Sequence, residues 1–219
     1  MSTATRPATR PAMRERLAAT IDARAAWLHY LALGAIVVAG AWLRLTGLNR
    51  QSLWFDEVDV VVRAQRPFDQ VLRTFVAAGE NGPLYNAMLA IWVRLAGISE
   101  IAVRFPSAVA GILTIPGLYP LARQVAGSRA GLLAAGLLAV SPYHLWYSQE
   151  AKMYTIVVLL AMLSSLLLVE ALARNRAVWW VAYVVATSLM FYTHVATVLV
   201  FAAQSGYVVL ARRVWRGRE

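Results

Sequence analysis

AVWWVAYVVATSLMFYTHVATVLVFAAQSGYVVLA, residues 177–211, runs for 35 residues without an Asp, Glu, Lys or Arg. At ~1.5 Å of rise per residue, one helix of that length would extend about 50 Å, too far for a single crossing of a ~30 Å hydrocarbon core. The run therefore reads as two spans with a tight turn near Tyr192-Thr193-His194. Outward from it, the remaining apolar runs fall at about 25–45, 84–98, 103–122, 130–147 and 153–173. The chain is 60% hydrophobic and only 15% charged, with a mean hydropathy of +0.57; soluble domains carry nearer a quarter charged residues. Lipid offers no partner to unpaired backbone groups, so such runs must close their own hydrogen bonds as helices. The fold class is all-α integral membrane, with about six transmembrane helices.

Charge sets the expected topology. The formal net charge is +10, and 20 of the 21 basic residues are arginine. The arginines cluster between apolar runs, as cytoplasmic loops do, which argues against nucleic acid as a partner. The Arg- and Ala-rich, Lys-poor bias points to a GC-rich bacterial genome. Residues 1–24 read as a basic, disordered cytoplasmic tail ahead of a retained signal anchor. Placing that tail, the Arg123/Arg129 loop, the Arg174/Arg176 loop and the basic end 212–219 all inside leaves room for exactly one span between 25–45 and Arg123. Segment 84–98 is then an interfacial helix within a long outer loop, 46–102, and does not cross. If it did cross, the later basic loops would face outside. Two further outer stretches follow, 148–152 and 193–194. A membrane module over 25–211 with both termini inside is expected.

Three polar stretches thus meet on one face. Asp56 and Glu57, in Leu53-Trp54-Phe55-Asp56-Glu57, lie at the start of an expected short helix over 57–64, where Asp56 can act as its N-cap or as a general base. Glu150 and Lys152 sit in a link with almost no spare length, either delimiting spans or supplying a second carboxylate and a phosphate-binding cation. Arg104 lies at the outer end of its run, as a snorkelling arginine or a phosphate ligand. His194 faces the same way, while His29 and His144 read as boundary residues. Gly79-Glu80-Asn81-Gly82-Pro83 is a turn, with Pro83 suited to open the next helix. There is no cysteine, which excludes disulfides, thiolate metal sites and a Cys nucleophile. No phosphate-binding loop, dinucleotide motif, His-Glu-x-x-His or G-x-S-x-G is present.

Taken together and in order, Trp54-Phe55-Asp56-Glu57, Asn81-Gly82-Pro83-Leu84-Tyr85, Arg104-Phe105-Pro106-Ser107-Ala108, Ser141-Pro142-Tyr143-His144 through Tyr154, and Tyr192-Thr193-His194 resemble the N-terminal membrane module of GT-C glycosyltransferases. The closest branch is the glycosyltransferase 39-like family, which includes protein O-mannosyltransferases and aminoarabinose lipid A transferases. The resemblance covers about residues 27–211. It implies an enzyme of the plasma (inner) membrane that moves a sugar from a polyprenyl-phosphate carrier to a protein, lipid or glycan acceptor on the extracytoplasmic side. By the same resemblance Asp56 is the catalytic carboxylate, with Glu57 beside it and Glu150 as the second carboxylate. Arg104, Lys152, Tyr85 and Tyr154 are donor- and phosphate-binding candidates, and His194 and Asn81 are substrate-site candidates. Lys152 stands where the family usually has arginine, and Asn81 where many relatives have His or Lys. The cofactor is open; a divalent cation, if used, would sit on Asp56 and Glu150. Relatives are roughly twice as long or more, so a fragment or half-enzyme is expected. A lipid-linked sugar transporter or flippase, and a non-catalytic membrane subunit, are the alternative readings.

Overall fold

A computed structural model describes residues 13–77 and 82–216, with side chains over 27–77 and 82–210. Among these residues the protein is all-α. Helix α1 (Met13–Leu45) is followed by three short helices, α2 (Phe55–Ala64), α3 (Phe68–Arg73) and α4 (Pro83–Ala96). Then come the long α5 (Glu100–Val140), the short α6 (Pro142–Ser148), α7 (Tyr154–Arg174), α8 (Ala177–Thr193), a single 3-10 turn (Val195–Thr197) and α9 (Val198–Arg216). Three segments are long and apolar enough to cross a membrane: Trp27–Leu45, Glu100–Val140 and Tyr154–Arg174. Ala177–Thr193 and Val195–Leu210 are shorter apolar helices. The basic segment assigned to the N-terminal tail contributes the first turns of α1 from Met13 onward; residues 1–12 lie outside the described residues.

The two spans expected at 103–122 and 130–147 are joined between Arg123 and Arg129, as the sequence suggests, but by a tight corner. Helix continues to Val140 and is interrupted only at Ala126 (φ −139°) and Gly127 (φ +83°). The left-handed backbone at 127 suits glycine. It reverses the chain, because Gly131 on the second arm lies against Tyr119 on the first. Ile115, Ala135 and Ala139 then share one core cluster. The second arm does not reach 147 as one rod. It stops at Ser141, whose hydroxyl accepts from the His144 N–H, and α6 restarts at Pro142.

This corner explains a residue the sequence reading passed over. Pro142 has no N–H to return to the Leu138 carbonyl, four residues back. Arg44, from the last turn of α1 and fully buried, supplies donors instead. Its Nη2 donates to Leu138 O and its Nη1 to Ala139 O, each at 3.0 Å. A cation at a helix C-terminus also meets the negative end of the dipole. Nη2 further lies 2.9 Å from His144 Nδ1, so His144 is a buried partner rather than a boundary residue. Gly111 lets Ser148 and Arg44 approach; a Cβ there would meet Ser148 Oγ and lie 2.9 Å from Ser148 Cβ and 3.3 Å from Arg44 Nε. Gly111→Ala is therefore expected to lower stability by about 1–3 kcal/mol, read as a fall in the thermal midpoint in detergent.

The short helices cover one end of the bundle. In α2, Glu57, Val60, Val61 and Ala64 are buried, the i, i+3, i+4, i+7 face of an amphipathic helix. Phe55, Val58 and Val62 line an exposed apolar stripe beside it, as a helix at a lipid surface would present. Both ends of α4 stay on this side. Gly82, at its start, packs against Thr193 and Met153. Near its end Trp92 donates to Ala102 O (2.7 Å), and Arg94 to Ala64 O (3.1 Å) and Arg66 O (2.7 Å). Helix α4 thus runs across the end of the bundle. Between the apolar helices, Gln204 of α9 bonds Ser164 and Ser165 of α7 and accepts from the Tyr183 hydroxyl of α8, tying three helices at one buried node.

Candidate active site at one end of the bundle

Helix α2 begins at Phe55, with Trp54 as its N-cap, two residues earlier than the sequence suggested. Asp56 is therefore in the first turn and does not cap. Glu57 reaches back instead, its Oε2 accepting from the Trp54 N–H at 3.3 Å.

Glu57 and Arg104 form the centre of this end. Glu57 is fully buried and Arg104 nearly so. Arg104 donates Nε to Glu57 Oε1 (2.8 Å) and Nη2 to Oε2 (2.6 Å). Its Nη1 donates to Leu48 O (2.6 Å) and Gln51 O (2.9 Å), and its Nη2 also to Ser52 O (3.3 Å). A guanidinium has five N–H donors, and these five bonds use them all. Glu57 Oε1 additionally accepts from the Ala151 N–H at 2.7 Å. Burial alone would push Glu57 up, but the Arg104 bonds and charge, with the Ala151 and Trp54 N–H groups, outweigh it and hold the carboxyl below its ordinary value. The pair joins α2, α5, the 48–52 loop and the 149–153 link. Arg104 has no N–H left for a phosphate, which corrects its reading as a phosphate ligand; Glu57 is likewise spoken for.

Asp56 is different. Its side chain is 44% exposed, and among the described residues it pairs with Lys152, whose Nζ lies 3.8 Å from Oδ2. Lys152 is itself largely covered, and its carbonyl accepts from Ser107 Oγ (2.8 Å). The 148–152 link and the acidic pair, separated by about ninety residues of sequence, are therefore adjacent, as the sequence reading expected.

Beside them lies a cavity of about 660 Å³, lined by Trp54, Glu57, Trp146, Tyr147, Glu150 and Tyr154 among others. Glu150 is 7% exposed. Its Oε1 accepts from Trp146 Nε1 at 2.5 Å, and its buried Oε2 has no hydrogen-bond partner. Burial foremost, and then the Glu57 charge, raise Glu150 above the ordinary carboxylate value against the Trp146 bond. A carboxyl raised on folding contributes stability below its ordinary value and loses it as pH rises through the folded value. Glu150→Gln is therefore expected to melt higher than wild type at pH 8, with the difference shrinking toward pH 5, in paired thermal scans.

The other sequence candidates divide. Tyr154 lines the cavity and packs on Tyr147, ring centroids 4.7 Å apart. His194 lies 6.5 Å from the Tyr154 ring and accepts the Ala196 N–H on Nδ1 (3.1 Å), capping the 3-10 turn. Tyr85 is 1% exposed, its hydroxyl sealed in the core; it cannot touch a ligand in this arrangement, which corrects its reading as a donor contact. Asn81 lies outside the described residues. Asp56 turns to Lys152 and Glu150 to Trp146, and among the described residues no three His, Asp or Glu side chains converge as metal ligands. A second, apolar cleft of about 460 Å³ lies between α4, α5 and α7, lined by Met88, Trp92, Phe105, Leu113 and Ile156 among others.

An apolar helical bundle with a polar, carboxylate-bearing cavity at one end is the architecture of a membrane enzyme. A family model described as dolichyl-phosphate-mannose-protein mannosyltransferase matches residues 80–218. The match spans more than half of the chain, and the chain belongs to this family of GT-C membrane glycosyltransferases. No curated protein and no solved structure matches it.

Proposed function

We propose that the chain is the membrane module of an enzyme that transfers a sugar from a polyprenyl-phosphate carrier to an acceptor on the extracytoplasmic side of the inner membrane, with both termini cytoplasmic. The observation that carries this reading is the polar cavity at one end of an apolar bundle, lined by Glu150 and with the Asp56–Lys152 pair beside it. The family match begins after the acidic pair, at residue 80, so the role of Asp56 rests on its geometry and on the motif resemblance.

In this mechanism Asp56 accepts the proton of the acceptor nucleophile as that nucleophile attacks the anomeric carbon. The sugar–phosphate C–O bond breaks, and the polyprenyl phosphate departs with the electron pair. Asp56 suits a base because it is accessible and only loosely paired. Glu150 is the lining carboxyl that meets a hydroxyl of the sugar or acceptor, while Trp54, Tyr147 and Tyr154 wall the pocket. Glu57 and Arg104 line the same cavity and position the surrounding elements.

The test is transfer of radiolabelled sugar from a polyprenyl-phosphate donor by the full-length protein in proteoliposomes. Glu150→Gln is expected to reduce transfer by about tenfold or more, one lost hydrogen bond to a charged group. Accumulation of the lipid-linked sugar on the opposite leaflet without covalent transfer would favour a flippase instead.

A further inference from the structure

The cavity needs a cation if a sugar phosphate is to enter it beside Glu150, and the two cations expected from sequence are committed elsewhere. All five Arg104 N–H groups are donated. Lys152 faces Asp56, is mostly covered, and does not line the cavity. Two basic side chains line it, the fully engaged Arg104 and Arg50. Arg50 is exposed, and among the described residues no hydrogen bond or ion pair engages its guanidinium.

The loop that carries Arg50 is held from two sides. Arg104 grips the carbonyls of Leu48, Gln51 and Ser52. Gln149 Nε2 grips those of Leu43 and Thr46, at 3.0 and 2.9 Å. Between these points the Arg50 N–H donates to Gly47 O (3.0 Å), closing a tight turn with Gly47 at φ +90°. Gly47 has no Cβ, and one placed there would lie 2.8 Å from Arg50 Cδ; the bare backbone lets the arginine fold back over the turn. The backbone under Arg50 is thus fixed, while its charged head stays unspent. Preorganised cations of this kind stabilise a leaving phosphate at little reorganisation cost. Glu150 sets the polarity of the cavity: an anion is repelled from its carboxylate and attracted to Arg50.

Resting on the function proposed above, we propose that Arg50 binds the phosphate of the lipid-linked donor in this cavity, from a loop that the Glu57–Arg104 pair holds in place.

The experiment uses the full chain in phosphatidylcholine nanodiscs with three probes: farnesyl phosphate, farnesol and inorganic phosphate. Binding is read by microscale thermophoresis for wild type, Arg50→Ala, Arg50→Lys and the control Arg73→Ala, with thermal midpoints to verify folding. Wild type and Arg73→Ala are expected to prefer farnesyl phosphate over farnesol. Arg50→Ala is expected to bind farnesyl phosphate about tenfold or more weaker, with farnesol binding and the thermal midpoint unchanged. Arg50→Lys is expected to restore part of the preference, since it keeps the charge but not the planar fork. Unchanged farnesyl phosphate binding by Arg50→Ala would overturn the assignment of Arg50 and leave the proposed function standing. Equal binding of farnesol and farnesyl phosphate by wild type would overturn both. Inorganic phosphate binding as tightly as farnesyl phosphate would overturn the lipid-linked carrier as the source of the phosphate.

Discussion

Arg104→Ala is expected to cost about 3–5 kcal/mol of stability, the range for removing one partner of a buried ion pair. The residue left behind is Glu57, with 0% exposure. Its carboxylate would keep the Ala151 and Trp54 N–H groups but lose both guanidinium contacts. Three loop carbonyls, Leu48, Gln51 and Ser52, would lose a donor at the same time. Thermal and denaturant melts in detergent check this, and a midpoint equal to wild type would refute it. Replacing both partners by apolar residues of similar volume often recovers the loss of a buried pair. Here Glu57→Leu with Arg104→Met should recover only part, because the loop carbonyls still lack their donor. The pH dependence follows from the direction of the Glu57 shift. Its folded value lies below the ordinary 4.5, so its contribution is complete above that pH and is lost as pH falls through the folded value. Acid melting of wild type below pH 4.5 should therefore be steeper than that of Glu57→Gln.

Asp56→Asn is expected to lower transfer by about 100-fold or more while leaving the fold intact, since a positioned general base contributes roughly 10²–10⁴. The two halves of this expectation have separate grounds. Asparagine keeps the shape but cannot accept the proton. Stability is spared because Asp56 is 44% exposed and touches Lys152 only at 3.8 Å, an ion pair of the kind worth roughly 0–1 kcal/mol. The measurement is kcat and KM for the full-length enzyme with a polyprenyl-phosphate sugar, beside a melting curve. A fall in kcat at constant KM and midpoint is the expected pattern. Undiminished kcat would remove Asp56 from the mechanism. Glu57→Gln gives the contrast: it should lose activity together with stability.

The bundle was legible because lipid imposes strong rules. Long uncharged runs, a break at His194 and a short link at 148–152 are one-dimensional signals, and the helices follow them. The amphipathic face of α2 could be read from spacing as well. The interior roles of the charges could not. Nothing in Asp56-Glu57 says which carboxylate turns inward, because that depends on which side of α2 meets α5 and α4. Arg104 read as a phosphate ligand because a sequence displays a charge and hides the carbonyls that will consume it. Arg50 was overlooked for the reverse reason: it looks like an ordinary surface arginine until the cavity is formed around it. The break between Arg123 and Arg129 was legible as well, although the corner itself takes only Ala126 and Gly127.

The link between Arg44 and Pro142 has an evolutionary consequence. At the break that Pro142 enforces, Arg44 donates to Ala139 O and shares Leu138 O with the Ser141 N–H. Losing the proline would let the helix close over Leu138 and crowd a buried cation; losing the arginine would leave Leu138 O with the Ser141 N–H alone and take the guanidinium donor from Ala139 O. Neither intermediate is comfortable, so two positions nearly a hundred residues apart are expected to change together. A lineage that abandons one should be found to have abandoned the other.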